Sequence, residues 1–149
     1  WKIILENIDM FNLAVSEILG QCYKNFPHET DFDYRQVAHQ VSKYYDKSDY
    51  QENRVMFEGI CRDTMSWLYQ ADYLWTRFPV HSERATMNAT GIRLSPKGLE
   101  ALSSMPDSLT QKKPVGDILQ GGVKETGKMA ALEAVKFILS EGVKIYSQP

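Results

Sequence analysis

The sequence predicts a mainly helical fold with a small β-hairpin and a separate C-terminal helix. Three observations carry this fold class. From Asn53 to Gln70, Met56, Phe57, Ile60, Thr64, Trp67 and Leu68, followed by Ala71, recur at helical spacing and mark one broad face. Two strand-like segments follow, and two further helical stretches precede them. Beyond a stretch holding Pro106 and Pro114, a different amphipathic run closes the chain.

Trp1 to Leu5 is apolar and is expected to pack as an N-terminal extension. Ile8, Phe11, Val15, Ile18, Leu19, Cys22 and Phe26 then define the first helix, which Pro27 and a polar segment end. Asp33 is a cap for a second helix reaching Tyr45, with Tyr34, Val37, Ala38, Val41, Tyr44 and Tyr45 on one face. Asp46 to Asp49 is a polar turn, and Ser48 or Asp49 is the expected cap of the third helix. Gly59 inside that helix costs about 1 kcal/mol relative to alanine, which makes sense where another helix crosses closely.

Tyr73 to Phe78 is aromatic and β-friendly and is stopped by Pro79. Arg84 to Leu94 is the second strand candidate, with a turn or bulge at Asn88–Gly91. Ser95 at the N-cap and Pro96 at the first helical position start a short helix carrying Leu99 and Leu102.

The phrases Asp63-Thr64-Met65-Ser66-Trp67-Leu68-Tyr69-Gln70-Ala71-Asp72-Tyr73-Leu74 and Gly91-Ile92-Arg93-Leu94-Ser95-Pro96-Lys97-Gly98-Leu99 resemble the third helix, wing and post-wing helix of bacterial winged-helix proteins. In that superfamily a "WLxxxGY" helix end enters the hairpin and an "LTxKG" phrase leaves it. The resemblance covers about the first two-thirds of the chain. It implies a winged-helix domain over residues 6–104; the prolines and small polar residues then predict a linker over 105–114, and the apolar pattern a C-terminal helix over 115–146. The superfamily contains DNA-binding regulators and modules that bind only protein. By that analogy the helix from Asn53 is the recognition helix.

The tail carries Val115, Ile118, Leu119, Val123, Met129, Leu132, Val135, Phe137, Ile138, Leu139, Val143 and Ile145. Gly121, Gly122 and Gly127 weaken its first half, and Ala130, Ala131 and Ala134 permit close helix approach. It packs back on the domain or pairs with a second copy; an interfacial membrane helix and a partner-ordered helix are the alternatives. Its lysines are balanced by Glu125, Glu133 and Glu141, which disfavours an anionic bilayer. No apolar run is long enough to span a bilayer.

The formal net charge of −2 gives no global pull toward nucleic acid. Its distribution is uneven. Residues 1–50 carry a net −3, 51–72 a net −2, 73–98 a net +3, and 99–149 none. The positive charge therefore sits on the hairpin, in Arg77, Arg84, Arg93 and Lys97, suited to a phosphate backbone. The third helix offers Gln51, Asn53, Arg54 and Arg62 for base edges, among Glu52, Glu58 and Asp63, which repel phosphates. DNA-binding regulation is the leading reading, mostly by analogy of fold.

The second reading is a protein-binding module, such as an immunity or antitoxin protein neutralising a toxin. Tyr44, Tyr45, Tyr50, Tyr69, Trp75 and Phe78 supply its candidate interface. Catalysis finds no support. His28, His39 and His81 form no HxxxH or HExxH pair, and no GxSxG, Walker A or GxGxxG phrase occurs. Cys22 and Cys61 read as buried reduced thiols. The expectation is a non-enzymatic, cytoplasmic homodimer without cofactor or metal.

Overall fold

The structure, a computed structural model, describes residues 2–81, 83, 85–105, 113–121 and 127–147, without the side chains of 2–6 and 145–147. Helix α1 runs from Lys2 to Asn25, so the expected N-terminal extension is its first turn. Leu13, Ala14, Val15, Ile18, Leu19 and Cys22 are fully buried, and α1 is the rod on which the other helices pack. The chain then turns through Pro27, which has no N–H to continue the helix.

The polar segment after Pro27, expected to be a loop, is strand β1 (Thr30–Asp33). Only Thr30 and Phe32 of β1 are buried, and two core-facing residues are too few for an alternation to announce a strand. Asp33 caps helix α2 (Tyr34–Ser42), accepting from the Arg35 N–H at 2.9 Å. Helix α2 stops short of Tyr45. Ser42 Oγ donates to the His39 carbonyl, and Tyr44 and Tyr45 donate into tight turns at Val41 and Ser42.

Helix α3 spans Lys47–Gln70, earlier than Asn53, with Asp46 rather than Ser48 or Asp49 at the N-cap. Asn53 is a kink, with φ −126° and ψ 26°, and its side-chain amide donates to the Asp49 carbonyl at 2.9 Å. Phe57, Cys61, Thr64, Met65 and Leu68 are buried; Met65 belongs to the core face, whereas Trp67 lies at its rim. Among the described residues Gly59 meets only the tip of the Arg62 side chain, and no described helix crosses there.

The end of α3 is a Schellman turn. Asp72 has φ +65°, its N–H donates to Tyr69 O, and Tyr73 N–H donates to Leu68 O. Strands β2 (Leu74–Thr76) and β3 (Asn88–Leu94) complete an antiparallel sheet of order β1-β3-β2. Leu74 faces Leu94, Trp75 faces Arg93, and Thr76 faces Ile92. The β1–β3 register slips between Thr30 and Phe32, opposite Gly91 at φ +68°. Asp31 Oδ1 accepts from the Gly91 N–H at 2.9 Å and holds the irregularity read from Asn88–Gly91.

Ser95 caps α4 (Pro96–Ser103) as expected. The predicted single tail helix is instead α5 (Val115–Leu119) and α6 (Lys128–Ser147). Of the expected linker, residues 106–112 lie outside the described residues, as do Gly122 and Val123 of the tail; Val115 N–H donates to Ser104 O, so the chain returns to where α4 ends. Helix α6 buries Ala131, Leu132, Ala134, Val135 and Ile138 against α1 and α4. The tail thus packs back, and its residues share one apolar cluster with the rest. Its close approach comes from the buried Ala131 and Ala134 and from Gly142 against Tyr73; among the described residues nothing crowds Gly127. Among the described residues no helix is long and apolar enough to cross a membrane.

Two of the helical glycines, Gly98 and Gly59, predict opposite effects. A Cβ at Gly98 runs into the Tyr73 carbonyl, which is backbone and cannot step aside. Gly98→Ala is expected to destabilise by about 1–3 kcal/mol through overpacking. Gly59→Ala is expected to be neutral or stabilising by up to about 1 kcal/mol. Urea midpoints of the two variants against the parent check both.

Candidate functional site

The sheet presents one face to the core and one to solvent, because side chains alternate along each strand. On the outer face Trp75 and Arg93 stand opposite one another on β2 and β3. Trp75 is 48% exposed, and its Nε1–H donates to Asp72 Oδ1 at 3.3 Å. The α1–β1 turn brings Phe26 and Pro27 alongside, and the start of α4 brings Pro96 and Leu99. Together they line a cleft of about 270 Å³ in which Arg93 is the charged residue. On the other side of Trp75 lies a cleft of about 380 Å³, lined by Glu29, Tyr69, Trp75, Thr76, Arg77 and Arg93.

Phe78 lies beside this face, with its ring against Gly91, where a side chain would collide. Phe26, Tyr69, Trp75 and Phe78 are all exposed, although each has large apolar area to bury. Trp67 is exposed too, packed edge-on to Phe11 at 5.2 Å. A further cleft of about 410 Å³ adjoins these rings, with Met56 and Ile60 in its wall.

Among the described residues the basic candidates are scattered, although Arg77 and Arg93 line one cleft. Arg77 makes two 2.9 Å hydrogen bonds to Glu29, whose carboxyl is held low chiefly by them. Its guanidinium also lies 5.0 Å from the Phe78 ring centre. Lys97 donates to the Ala71 carbonyl at 2.7 Å and sits 4.3 Å from the Tyr73 ring centre, and desolvation pushes its pKa down. It therefore caps the end of α3. Arg62 keeps only 14% of its side chain exposed and lines a cleft of about 320 Å³ with Val55, Glu58 and Met87. Asn53 is engaged in the kink. Gln51 and Arg54 remain exposed on α3, beside the equally exposed Glu52 and Val55. Arg84 lies outside the described residues.

The aromatic candidates divide as well. Tyr45 and Tyr50 meet Phe57 edge-on at 5.6 Å and 5.4 Å, and Tyr50 also contacts His39. Tyr44 packs against the core, and burial pushes its hydroxyl up to about 12. These three are rim residues of the core. Tyr69, Trp75 and Phe78 reach solvent together. Sequence reasoning missed Phe26, Pro27, Pro96 and Leu99 as their neighbours. With β1 unread, nothing placed the α1–β1 turn beside β2.

A polar cleft of about 750 Å³ opens between α1, the end of α2 and α5, lined in part by Glu17, Gln21, Lys24, Gln40 and Lys43. Its amides, two lysines and one carboxyl suit water and do not form a nucleophile–base pair. Cys22 and Cys61 are free and buried, and burial pushes both thiols up, which makes them poor nucleophiles. Among the described residues no group of three His, Cys, Asp or Glu side chains is placed to hold a metal ion. No protein-family model, no curated protein and no solved structure matches this chain.

Glu17 yields a pH prediction. Burial raises its carboxyl, although the Gln21 side chain donates to it at 2.7 Å and Lys43 attracts it. A carboxyl raised on folding keeps its proton in the folded chain where the unfolded chain has lost it. Stability then falls as pH rises through that interval. Glu17→Gln is expected to be more stable than the parent at neutral pH. The difference should vanish once pH drops below the usual carboxylate range, as followed by urea midpoints against pH.

Proposed function

We propose that this chain is a non-enzymatic winged-helix module that acts by binding a protein partner. The element order helix–strand–helix–helix–strand–strand, with sheet order β1-β3-β2, supports the winged-helix part. One observation carries the partner class: the exposed rings of Phe26, Tyr69 and Trp75 line two clefts that share Trp75, and Phe78 is exposed as well. Aromatic anchors of this kind bury much area with few rotors and dominate binding energy at interfaces. The same reading holds the protein to be cytoplasmic and dimeric. Ile8 and Met129, exposed beside the Asp9–Lys128 pair, are apolar residues a second copy would cover.

DNA-binding regulation is the second reading. It is favoured by Arg54 and Gln51, exposed on the helix that occupies the recognition position. Against it, Glu52 and Glu58 share that helix surface, Arg77 is paired, and Lys97 is engaged within the fold.

Salt dependence separates the two. A phosphate-binding protein loses affinity steeply as salt rises, because neutralised phosphates release counterions. The purified chain is expected to retain no fragment from a random duplex pool even at low salt. Enriched duplexes, released as salt rises and weakened by Arg54→Ala, would overturn the protein-partner reading in favour of DNA.

A further inference from the structure

We propose that the cleft between Phe26 and Trp75 receives an acidic peptide segment, with an apolar side chain entering the cleft and a neighbouring carboxylate pairing with Arg93. The inference rests on the protein-partner reading and names that partner's chemistry. The cleft holds about 270 Å³, room for one large side chain rather than for the edge of a folded domain. Phe26, Pro27, Trp75, Pro96 and Leu99 supply apolar walls, and Arg93 is the charged member of the lining. An apolar slot with a cation at its rim complements an apolar residue flanked by an anion.

Among the described residues the carboxylates around the cleft, Glu29 and Asp72, are already engaged, and the cations Arg77, Arg93 and Lys97 outnumber them. Glu29, the carboxylate nearest in the neighbouring cleft, is held by Arg77 through two hydrogen bonds. Asp72, beyond the edge of Trp75, accepts from the indole and acts on the ammonium of Lys97. The Arg93 side chain is exposed; its charge acts on Glu29 from a distance, and among the described residues its guanidinium has no hydrogen bond or close ion pair. An arginine in this setting can pair a carboxylate bidentately. Trp75, on the facing strand, supplies the apolar surface beside it.

The Trp75 indole N–H resonance, assigned with Trp75→Phe, reports the site directly. The probes are three peptides with the same leucine and phenylalanine residues, flanked by glutamate, glutamine or lysine, and a single-stranded oligothymidine. The glutamate peptide is expected to shift the resonance saturably, and the glutamine peptide to bind about tenfold more weakly, the effect of one charge-assisted contact. Arg93→Glu, at an exposed position, is expected to lose the glutamate peptide and gain the lysine peptide, with the rest of the spectrum unchanged. Equal binding of the glutamate and glutamine peptides would overturn the role of Arg93 and leave the protein-partner reading standing. No response to any peptide would overturn the inference, and retention of duplex DNA would then decide against the reading beneath it. A response to oligothymidine in preference to every peptide would overturn both.

Discussion

At Asp72 and Tyr73 the chain leaves α3 in a left-handed turn, and four elements close on that point. Tyr73 N–H ends α3 by donating to Leu68, and its carbonyl accepts from Ser95 and packs against Gly98. Its ring stacks on Trp67 at 6.3 Å and lies beneath the Lys97 ammonium. Its hydroxyl reaches the Leu139 carbonyl at 3.5 Å and abuts Gly142 of α6. One residue therefore sets the angle of β2 to α3, the seat of α4, and the line along which the tail returns. Ser95 ties the same point from the other side, donating to the Asp72 carbonyl while accepting from Gly98. A buried polar group in this position must be satisfied, and here the Asp72 and Tyr73 carbonyls both are.

This closure also decides what the surface offers. Because Lys97 is drawn in to the end of α3, the hairpin base loses a cation from its exterior. Because the α1–β1 turn comes alongside β2, Glu29 meets Arg77 and neutralises a second. Among the described residues, what is left outward is largely aromatic, with Arg93 as the cation outside a close ion pair. A net positive charge over residues 73–98 therefore does not translate directly into free surface cations: among the described residues, ion pairing holds Arg77 and capping holds Lys97. Charges exposed to water interact weakly with one another, but a cation held by a carboxylate is also less available to any other anion.

The two halves of the protein are bound through α1. Its buried stripe faces α2 and α3 on one side and α5 and α6 on another, so the tail completes the core rather than extending from it. Small residues make that possible. Gly20 lies against Leu119 and Gly116 against the Tyr23 ring, while Ala131 and Ala134 let α6 lie close. An amphipathic helix that finds such a seat on its own domain has its apolar face covered already, and its exposed apolar residues, Met129 and Val143, are those left over.

The sequence alone was enough for the elements whose signals are local. Helical periodicity marked α1, α2 and α3, the Ser95–Pro96 pair marked the start of α4, and Gly91 marked the irregularity in β3. These features depend on residues within a few positions of one another, where propensity, capping and periodicity act. Tertiary structure decided the rest. Strand β1 exists because Asp31 and Gly91, 60 residues apart, meet across the sheet. Arg77 is paired because Glu29 lies 48 residues away in sequence and adjacent in space. Tyr45 and Tyr50 face Phe57 and Tyr44 packs on the core, whereas Tyr69, Trp75 and Phe78 face water. Composition cannot separate these two sets, because a ring is equally suited to a core and to an interface. Which one it serves depends on what the remainder of the chain brings to cover it.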